Sequence, residues 1–543
     1  MKRLLKYGIF AAVALSGCTD DFLTQDVKGT QVLDNYFNNE QECLAQVYGC
    51  YQTLAFDDWW QIYNTYILAD MCTDDGWMNN TTQSQDGYND LVLYQGKTTS
   101  GTLANFWQYR YKGIHYCNTV LEYVPKVTSI SEDKKNRMIA EAKFIRGYQY
   151  FELVRNFGGV PLVLTMATPE DAKSIRRATL QESYAQIEKD FLESIDALPT
   201  RSETVKNGEL GRATKGAAMA MLAKTYLYQE KYTEAETYLD KVIGSGEYAL
   251  EKDFSKVWDM HNNNGIEGVF EIQTSGDITY SVGERISVVA GSRDDSGWSW
   301  GGPSSDLENA YIAEGDDIRL FYTILKHGAT AVPRETDMSQ FEYKEKNADG
   351  EEVTVKGKYP VLPSKHKSGR VNAKLYIAQA DRIDGNYDAP HIELNYRLLR
   401  YADVLLMAAE VKNQLGKDGD AQTYLNAVRS RVNLSDVTAT GTALRDAIRK
   451  ERRLELAWEG NRLYDIRRWT DDNGKKMACN LFGPNGSWVI YNTQVSTDEF
   501  ETTNLIEPQD EGKDFNENRD LLFPIPSAEV VQSNGMLEQN PGY

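Results

Sequence analysis

The sequence predicts a mainly α-helical fold of paired helices stacked as an α-solenoid, with an irregular, loop-rich subdomain that contains short strands. Three observations predict it. Apolar residues recur at three- and four-residue spacing over six long stretches. One pair of those stretches, and a second pair expected at 401–431, place small residues where neighbouring helices must approach closely, and one repeat cannot bury its own apolar face, so several should stack. Residues 250–395 break the helical period with Gly, Asn, Asp and aromatic residues. The 543 residues are 41% hydrophobic and 26% charged, a globular composition that disfavours disorder and fibres.

The chain opens on an address. Lys2, Arg3 and Lys6 precede a short apolar core from Tyr7 to Leu15, and Leu15-Ser16-Gly17-Cys18 follows. This reads as a secretory signal, too short to span a bilayer. Its end resembles a bacterial lipobox, which implies that residues 1–17 are a lipoprotein signal peptide and that Cys18 becomes the acylated first residue of the mature chain. Two or more acyl chains anchor a soluble domain stably. A plain cleaved signal with a chance cysteine is the alternative. Asp20 and Asp21 resemble an acidic export signal that sends lipoproteins to the outer face of the outer membrane. Residues 19–39 then read as a polar lead.

Helical periodicity covers residues 41–54, 106–123, 131–157, 180–198, 211–229 and 233–243, and Gly158-Gly159-Val160-Pro161 stops the third. Leu222, Ala223 and Tyr226 on one helix against Ala235 and Leu239 on the next, with Tyr232 in the turn, reproduce the spacing of a tetratricopeptide-like unit. A second copy is expected at 401–431, with Ala409 and Ala421 in the small positions and Leu405 and Leu425 in large ones. Phe144, Gly147 and Tyr150 match the first half of a third, its partner helix delayed to 180–198. In the middle, 269–273 reads as a strand, and Phe341 to Val355 reads as a hairpin around Asn347-Ala-Asp-Gly350. A calcium loop on Glu345, Asn347 and Asp349 fails because Lys356 stands where a bidentate Glu is needed. The expected organisation is a helical region at 18–250 and a C-terminal region at 251–543 with the loop-rich insert at 251–395.

Charge and spacing narrow the function. With 59 Lys+Arg against 80 Asp+Glu the net charge is −21, and loss of the signal removes only positive charges. Nucleic acid is thereby disfavoured, since a polyanion needs a basic stripe. Beyond Cys18, Cys43, Cys50, Cys72, Cys117 and Cys479 form no zinc spacing and read as buried thiols, and the five His match no ligand pattern. No cofactor and no metal is expected. In Glu451–Trp469 the charges Arg452, Arg453, Glu455, Glu459, Arg462, Asp465, Arg467 and Arg468 are expected to pair across helical turns while Leu454 and Trp458 pack inward.

Several segments together resemble the SusD/RagB family of surface nutrient-binding lipoproteins. They are Tyr111-Lys-Gly-Ile-His-Tyr-Cys-Asn-Thr119, Glu141-Ala-Lys-Phe-Ile-Arg-Gly-Tyr-Gln-Tyr150 with Phe157-Gly-Gly-Val-Pro-Leu162, and Gly211-Arg-Ala-Thr-Lys-Gly-Ala-Ala218. Arg400-Tyr-Ala-Asp-Val-Leu-Leu-Met-Ala-Ala-Glu410, Glu451-Arg-Arg-Leu-Glu-Leu-Ala-Trp-Glu-Gly460, Leu522-Phe-Pro-Ile-Pro526 and the ending Gln539-Asn-Pro-Gly-Tyr543 continue the match. The resemblance implies a SusD-like fold and a lipid-anchored, outward-facing outer-membrane protein. It implies capture of a glycan, or in some members a peptide, for delivery to a SusC-like TonB-dependent transporter. It supplies no fixed binding residues.

Glycan capture needs flat aromatic faces for sugar C–H surfaces and polar groups for hydroxyls. Two loop regions offer that mixture. One carries Trp59, Trp60, Asp75, Trp77 and Asn79; the other carries Tyr280, Arg293, Asp294, Trp298 and Trp300. Trp298 and Trp300 alternate, so an extended segment would show both on one face. Trp59 and Trp60 are adjacent, so at most one faces a ligand. Trp107, Trp258, Trp458 and Trp469 are expected in the core. A glycoside hydrolase is the rival, because Asp57/Asp58, Asp74/Asp75, Asp294/Asp295 and Asp316/Asp317 are paired carboxylates, but hydroxyl recognition uses the same residues without turnover. A tetratricopeptide scaffold clamping peptide tails is the third reading.

Overall fold

The computed structural model describes residues 36–54, 65–77, 86–277, 279, 285–334, 336–382, 391–482, 486–488 and 515–543. Its spine is a row of antiparallel helices. Helix α1 (Glu40–Gln52) packs on α2 (Gly101–Tyr123), and α2 on α3 (Glu132–Phe157), which pairs with α4 (Leu180–Ile195). Next come α5 (Lys215–Leu227), which also touches α4, and α6 (Tyr232–Gly244). Helices α7 (Ser305–Glu314) and α8 (Asp317–Thr323) belong to the insert. The row resumes with α9 (Tyr401–Gln414), which packs on α6, then α10 (Asp418–Arg431), α11 (Gly441–Glu455) and α12 (Arg462–Arg468). Among the described residues no helix is long and apolar enough to cross a membrane.

The helix pairs form where small residues permit them. Ala223 and Ala235 are fully buried between α5 and α6, and Ala409, Ala421, Leu405 and Leu425 share one core between α9 and α10. In α3, a Cβ on Gly147 would lie 3.1 Å from the Phe191 ring of α4, so glycine sets how closely those helices approach. Thr179 and Glu182 close a capping box that starts α4 after its long delay. Tyr232, expected in a turn, is the first residue of α6, because the preceding turn closes at Glu230 and Lys231 instead.

The glycines after α3 are constrained differently. Gly158 ends the helix at φ +77°, in the region glycine favours, while Gly159 has a backbone in the way: its Cβ would stand 2.1 Å from the Ala178 carbonyl oxygen. Gly159→Ala should therefore lower the unfolding free energy by about 2 kcal/mol, because backbone cannot step aside as a flexible side chain can. Gly244→Ala, at the open end of α6 with nothing within 4 Å, is the control that should leave the urea midpoint unchanged or raised. Equal midpoints for the two variants would reject this account.

The insert is closed by short antiparallel pairings. Strand β1 (Gly76–Trp77) pairs with β3 (Gly302–Pro303), tying the loop after α1 to the insert. Strand β2 (Gly268–Ile272) pairs with β8 (Tyr396–Arg400), so the chain leaves and re-enters the helical row at one place. Strands β4 (Ile324–Lys326) and β7 (Arg370–Asn372) pair, as do β5 (Glu342–Lys346) and β6 (Glu352–Lys356). The last two form the expected hairpin. Its loop spans residues 347–351: Asn347 Oδ1 accepts from the amides of Asp349 and Glu351, and Gly350 takes φ +80°. Trp107, Trp258, Trp458 and Trp469 are all buried, as are the five described cysteine thiols.

One expectation is corrected. The segment 451–469 is not one helix laced by local ion pairs: α11 ends at Glu455, and Trp458 and Gly460 both take positive φ before α12 begins. Leu454 and Trp458 do pack inward. Most of the charges reach other elements. Arg452 binds Asp403, Arg453 binds Asp75 and Asp306, Glu455 and Glu459 bind Arg400, and Arg462 binds Asp74. Except for the half-exposed Asp306 these partners are buried, and the charged network joins α9, α11, α12, β8 and the 74–75 loop.

Candidate functional site

Two regions combine aromatic side chains with polar groups. The first is the loop Ser292–Trp300, which a dense set of bonds holds in place. The amides of Trp298 and Trp300 donate to Val288 and Val289 carbonyls at 2.8 and 2.9 Å, and that of Ser299 to Gly291 at 2.9 Å. Below the loop, His366 is fully buried. Its Nδ1 donates to the Leu362 carbonyl at 2.9 Å, and its Nε2 accepts from the Arg293 amide at 3.2 Å. Burial pushes the imidazole pKa down to about 4, so the ring is neutral, as this pair of bonds requires.

Trp298 and Trp300 do lie together, their rings 5.2 Å apart, although Ser299 between them takes φ +58° and the segment is not a plain strand. Their roles differ. Trp300 is only 5% exposed and packs against Tyr88 at 4.9 Å, so the expected two-ring platform is corrected to one half-buried indole, Trp298, resting on a core indole. Arg293, in the same loop, is partly exposed, and its guanidinium has no hydrogen-bond partner among the described residues.

The carboxylates expected to meet a ligand serve the fold instead. Asp294 accepts from the Leu362 amide at 2.9 Å and pairs with Lys365, which fixes the loop. Asp295 accepts from the Tyr376 hydroxyl at 2.6 Å, and burial raises its pKa. Asp75 is 3% exposed, pairs with Arg453 at 2.6 Å, and has its pKa raised by burial. Asp74 is equally buried, but the Arg462 and Arg453 guanidinium groups overcome that burial and hold it below the usual carboxylate range. Asp316 is buried beside Arg319. None of these three described pairs presents two accessible carboxyl groups to one bond; Asp57 and Asp58 lie outside the described residues. Cys18, Trp59, Trp60, Asn79 and Tyr280 lie outside the described residues. So does the Trp77 side chain, although its backbone in β1 borders Gly302.

The second region was missed from the sequence. A cleft of about 760 Å³ opens between the segments 254–261, 321–334 and 373–381; Phe321 is its exposed aromatic side chain, Tyr322 is half-buried, and Phe254 and Trp258 line it as buried residues. No spacing rule connects these positions. The one available signal was the Phe321-Tyr322 pair closing α8, where a large exposed aromatic beside another is uncommon. Among the described residues, no group of three His, Cys, Asp or Glu is placed to hold a metal ion.

This architecture recurs in known proteins. A family model described as "SusD family" matches residues 244–543, and one described as "Starch-binding associating with outer membrane" matches 21–227. The chain is 25% identical to SusD-like protein P2 of Formosa agariphila, over all of both chains. Among solved structures it is similar to a SusD-like protein from Bacteroides fragilis, with TM-score 0.73, 26% identity, and 94% of this chain and 98% of that one covered. A laminarin-binding SusD-like protein superposes with TM-score 0.68 at 25% identity, covering 93% of this chain and all of that one. The fold is thus the mainly α SusD-like fold, and the chain belongs to the SusD family.

Proposed function

We propose that this protein is an outer-membrane lipoprotein that binds a glycan at its surface without cleaving it, and passes it to a SusC-like TonB-dependent transporter. Trp298 carries the reading. It offers part of an indole face on a loop locked by His366, Asp294 and Asp295, and the partly exposed Arg293 of the same loop can donate to hydroxyls. A rigid support matters because a ring already held in its bound orientation loses little freedom on binding. The family match and the laminarin-binding relative support a carbohydrate ligand, and the N-terminal family description supports outer-membrane association. Anchoring through acylated Cys18 and hand-off to the transporter complete the proposal.

Calorimetry on protein lacking residues 1–18, with neutral glucans, xylans and mannans as probes, tests it. Trp298→Ala should weaken the best ligand at least tenfold while leaving the thermal midpoint within a few degrees. Unchanged affinity would remove Trp298 from the site. The appearance of new reducing ends during the titration would make the protein an enzyme.

A further inference from the structure

The cleft bounded by Phe254, Trp258, Phe321 and Tyr322 has no part in the site built on Trp298, although both share one wall. Segment 373–382 gives Ala373, Lys374, Ile377 and Asp381 to the cleft. The same segment holds the Trp298 loop: Tyr376 and the Gln379 amide bind Asp295, and the Gln379 side chain accepts from Ser296 at 2.9 Å. We infer that the cleft is a second binding site, and that it takes a short neutral oligosaccharide. This inference rests on the carbohydrate reading above.

The walls fit that ligand. Phe254, Tyr322 and Phe321 form a continuous run, with ring centroids 5.9 and 5.0 Å apart. Phe321 is 39% exposed, a large apolar side chain left open to solvent at the cleft edge, and Tyr322 is half-buried. The Phe321 and Tyr322 rings at a concave site of this size, backed by the buried Phe254 and with hydroxyl and imidazole groups from Ser255, Tyr322 and His261 around them, suit the alternating C–H and O–H surface of a sugar.

The charges explain why the ligand is neutral. Each lysine and arginine at the cleft is already engaged. Arg334 donates to the Trp258 and Lys374 carbonyls at 2.7 and 2.9 Å and to that of Tyr376, so it stitches the cleft floor together. Lys374 donates to Glu459 at 2.7 Å and to the Glu455 carbonyl at 2.9 Å, and Lys256 pairs with Asp259 at 2.7 Å. Asp381 is exposed and, among the described residues, its carboxylate accepts only a neutral hydroxyl, from Thr336 at 2.7 Å. A sulfate, phosphate or uronate would meet a carboxylate, and basic groups already committed elsewhere, in a chain of net charge −21. A peptide in extended form is disfavoured too, because no described strand lines the cleft and a ladder of backbone bonds has nowhere to form.

The test uses protein lacking residues 1–18 and hexasaccharides of β-1,3-glucan, α-1,4-glucan, β-1,4-xylan and β-1,4-mannan, followed by calorimetry. At least one should bind with a stoichiometry of two. Phe321→Ala should weaken one of the two events about tenfold and spare the other, and Trp298→Ala should do the converse. Tyr322→Phe removes only a hydroxyl, so it should weaken the Phe321-dependent event several-fold with no loss of thermal stability. A stoichiometry of one that Trp298→Ala abolishes and Phe321→Ala leaves intact overturns the second site while the first reading stands. Binding to none of the four overturns both.

Discussion

Replacing Arg400 with alanine should lower the free energy of unfolding by about 3–5 kcal/mol, the cost of removing one partner from a buried ion network. Arg400 is 2% exposed. Its Nε donates to Glu459 at 2.6 Å and its Nη1 to Glu267 and Glu455 at 2.7 and 2.6 Å, while Nη2 reaches the Glu455 carbonyl at 2.7 Å. Without it, three carboxylates stay buried with fewer compensating donors. Glu455 keeps Arg319 and Arg431, and Glu459 keeps Lys374, so the network is weakened but not emptied. The location adds to the effect: Arg400 ends β8 immediately before α9, while Glu267 immediately precedes β2, so one guanidinium pins the point where the insert rejoins the helical row. Arg400→Lys keeps the charge and loses the planar fork, and should fall between wild type and alanine. Urea unfolding followed by circular dichroism measures all three. A loss under about 1 kcal/mol for alanine would mean that the network behaves like a set of surface pairs.

The sequence could not show this network because its pairs are far apart along the chain. Arg400 and Glu455 are separated by 55 residues, and Asp74 and Arg462 by 388. Helical spacing is a local signal, so it found the α5–α6 and α9–α10 pairs from Ala223, Ala235, Ala409 and Ala421. The same rule misled at 451–469, where it supplied partners four residues away and the positive φ at Trp458 and Gly460 ended the helix first. A run of alternating acids and bases was legible as charge. Which element each charge faced was not.

The site divides the same way. A two-residue spacing correctly brought the Trp298 and Trp300 rings together, but burial depends on what lies beneath, and Tyr88 covers Trp300 from a different part of the chain. Asp75 and Asp294 had the right chemistry for sugar hydroxyls. Their nearer obligations, to Arg453 and to the Leu362 amide, come from residues that no local pattern links to them. The cleft is the extreme case, assembled from three segments without a common motif.

Asp70 should make stability depend on pH, and Asp70→Asn should remove that dependence. The residue lies in a single π-helical turn, Ile67–Met71, that is buried throughout; it is 3% exposed. One carboxyl oxygen accepts from the Gly460 amide at 3.0 Å, and the other has no hydrogen-bond partner among the described residues. Burial pushes its pKa up to about 8. The Asp75 and Glu459 carboxylates add to the rise, while the Gly460 amide and Lys374 oppose it. Between about pH 4 and pH 8 the folded chain therefore holds a proton that the unfolded chain has released. This contribution is fully present below about pH 4 and is lost as pH rises towards 8. Asparagine keeps the acceptor for Gly460 and cannot ionise. At pH 4 the variant and the wild type should match within about 1 kcal/mol, and by pH 8.5 the variant should be more stable by about 3–5 kcal/mol, since each tenfold change in proton affinity is worth roughly 1.4 kcal/mol. Parallel urea titrations at both values read the difference directly, with other titrating groups cancelling between the two proteins. A gap that stays constant from pH 4 to 8.5 would show that Asp70 is ionised throughout, and that the turn beneath Gly76 and Trp458 accommodates a charge that its burial should reject.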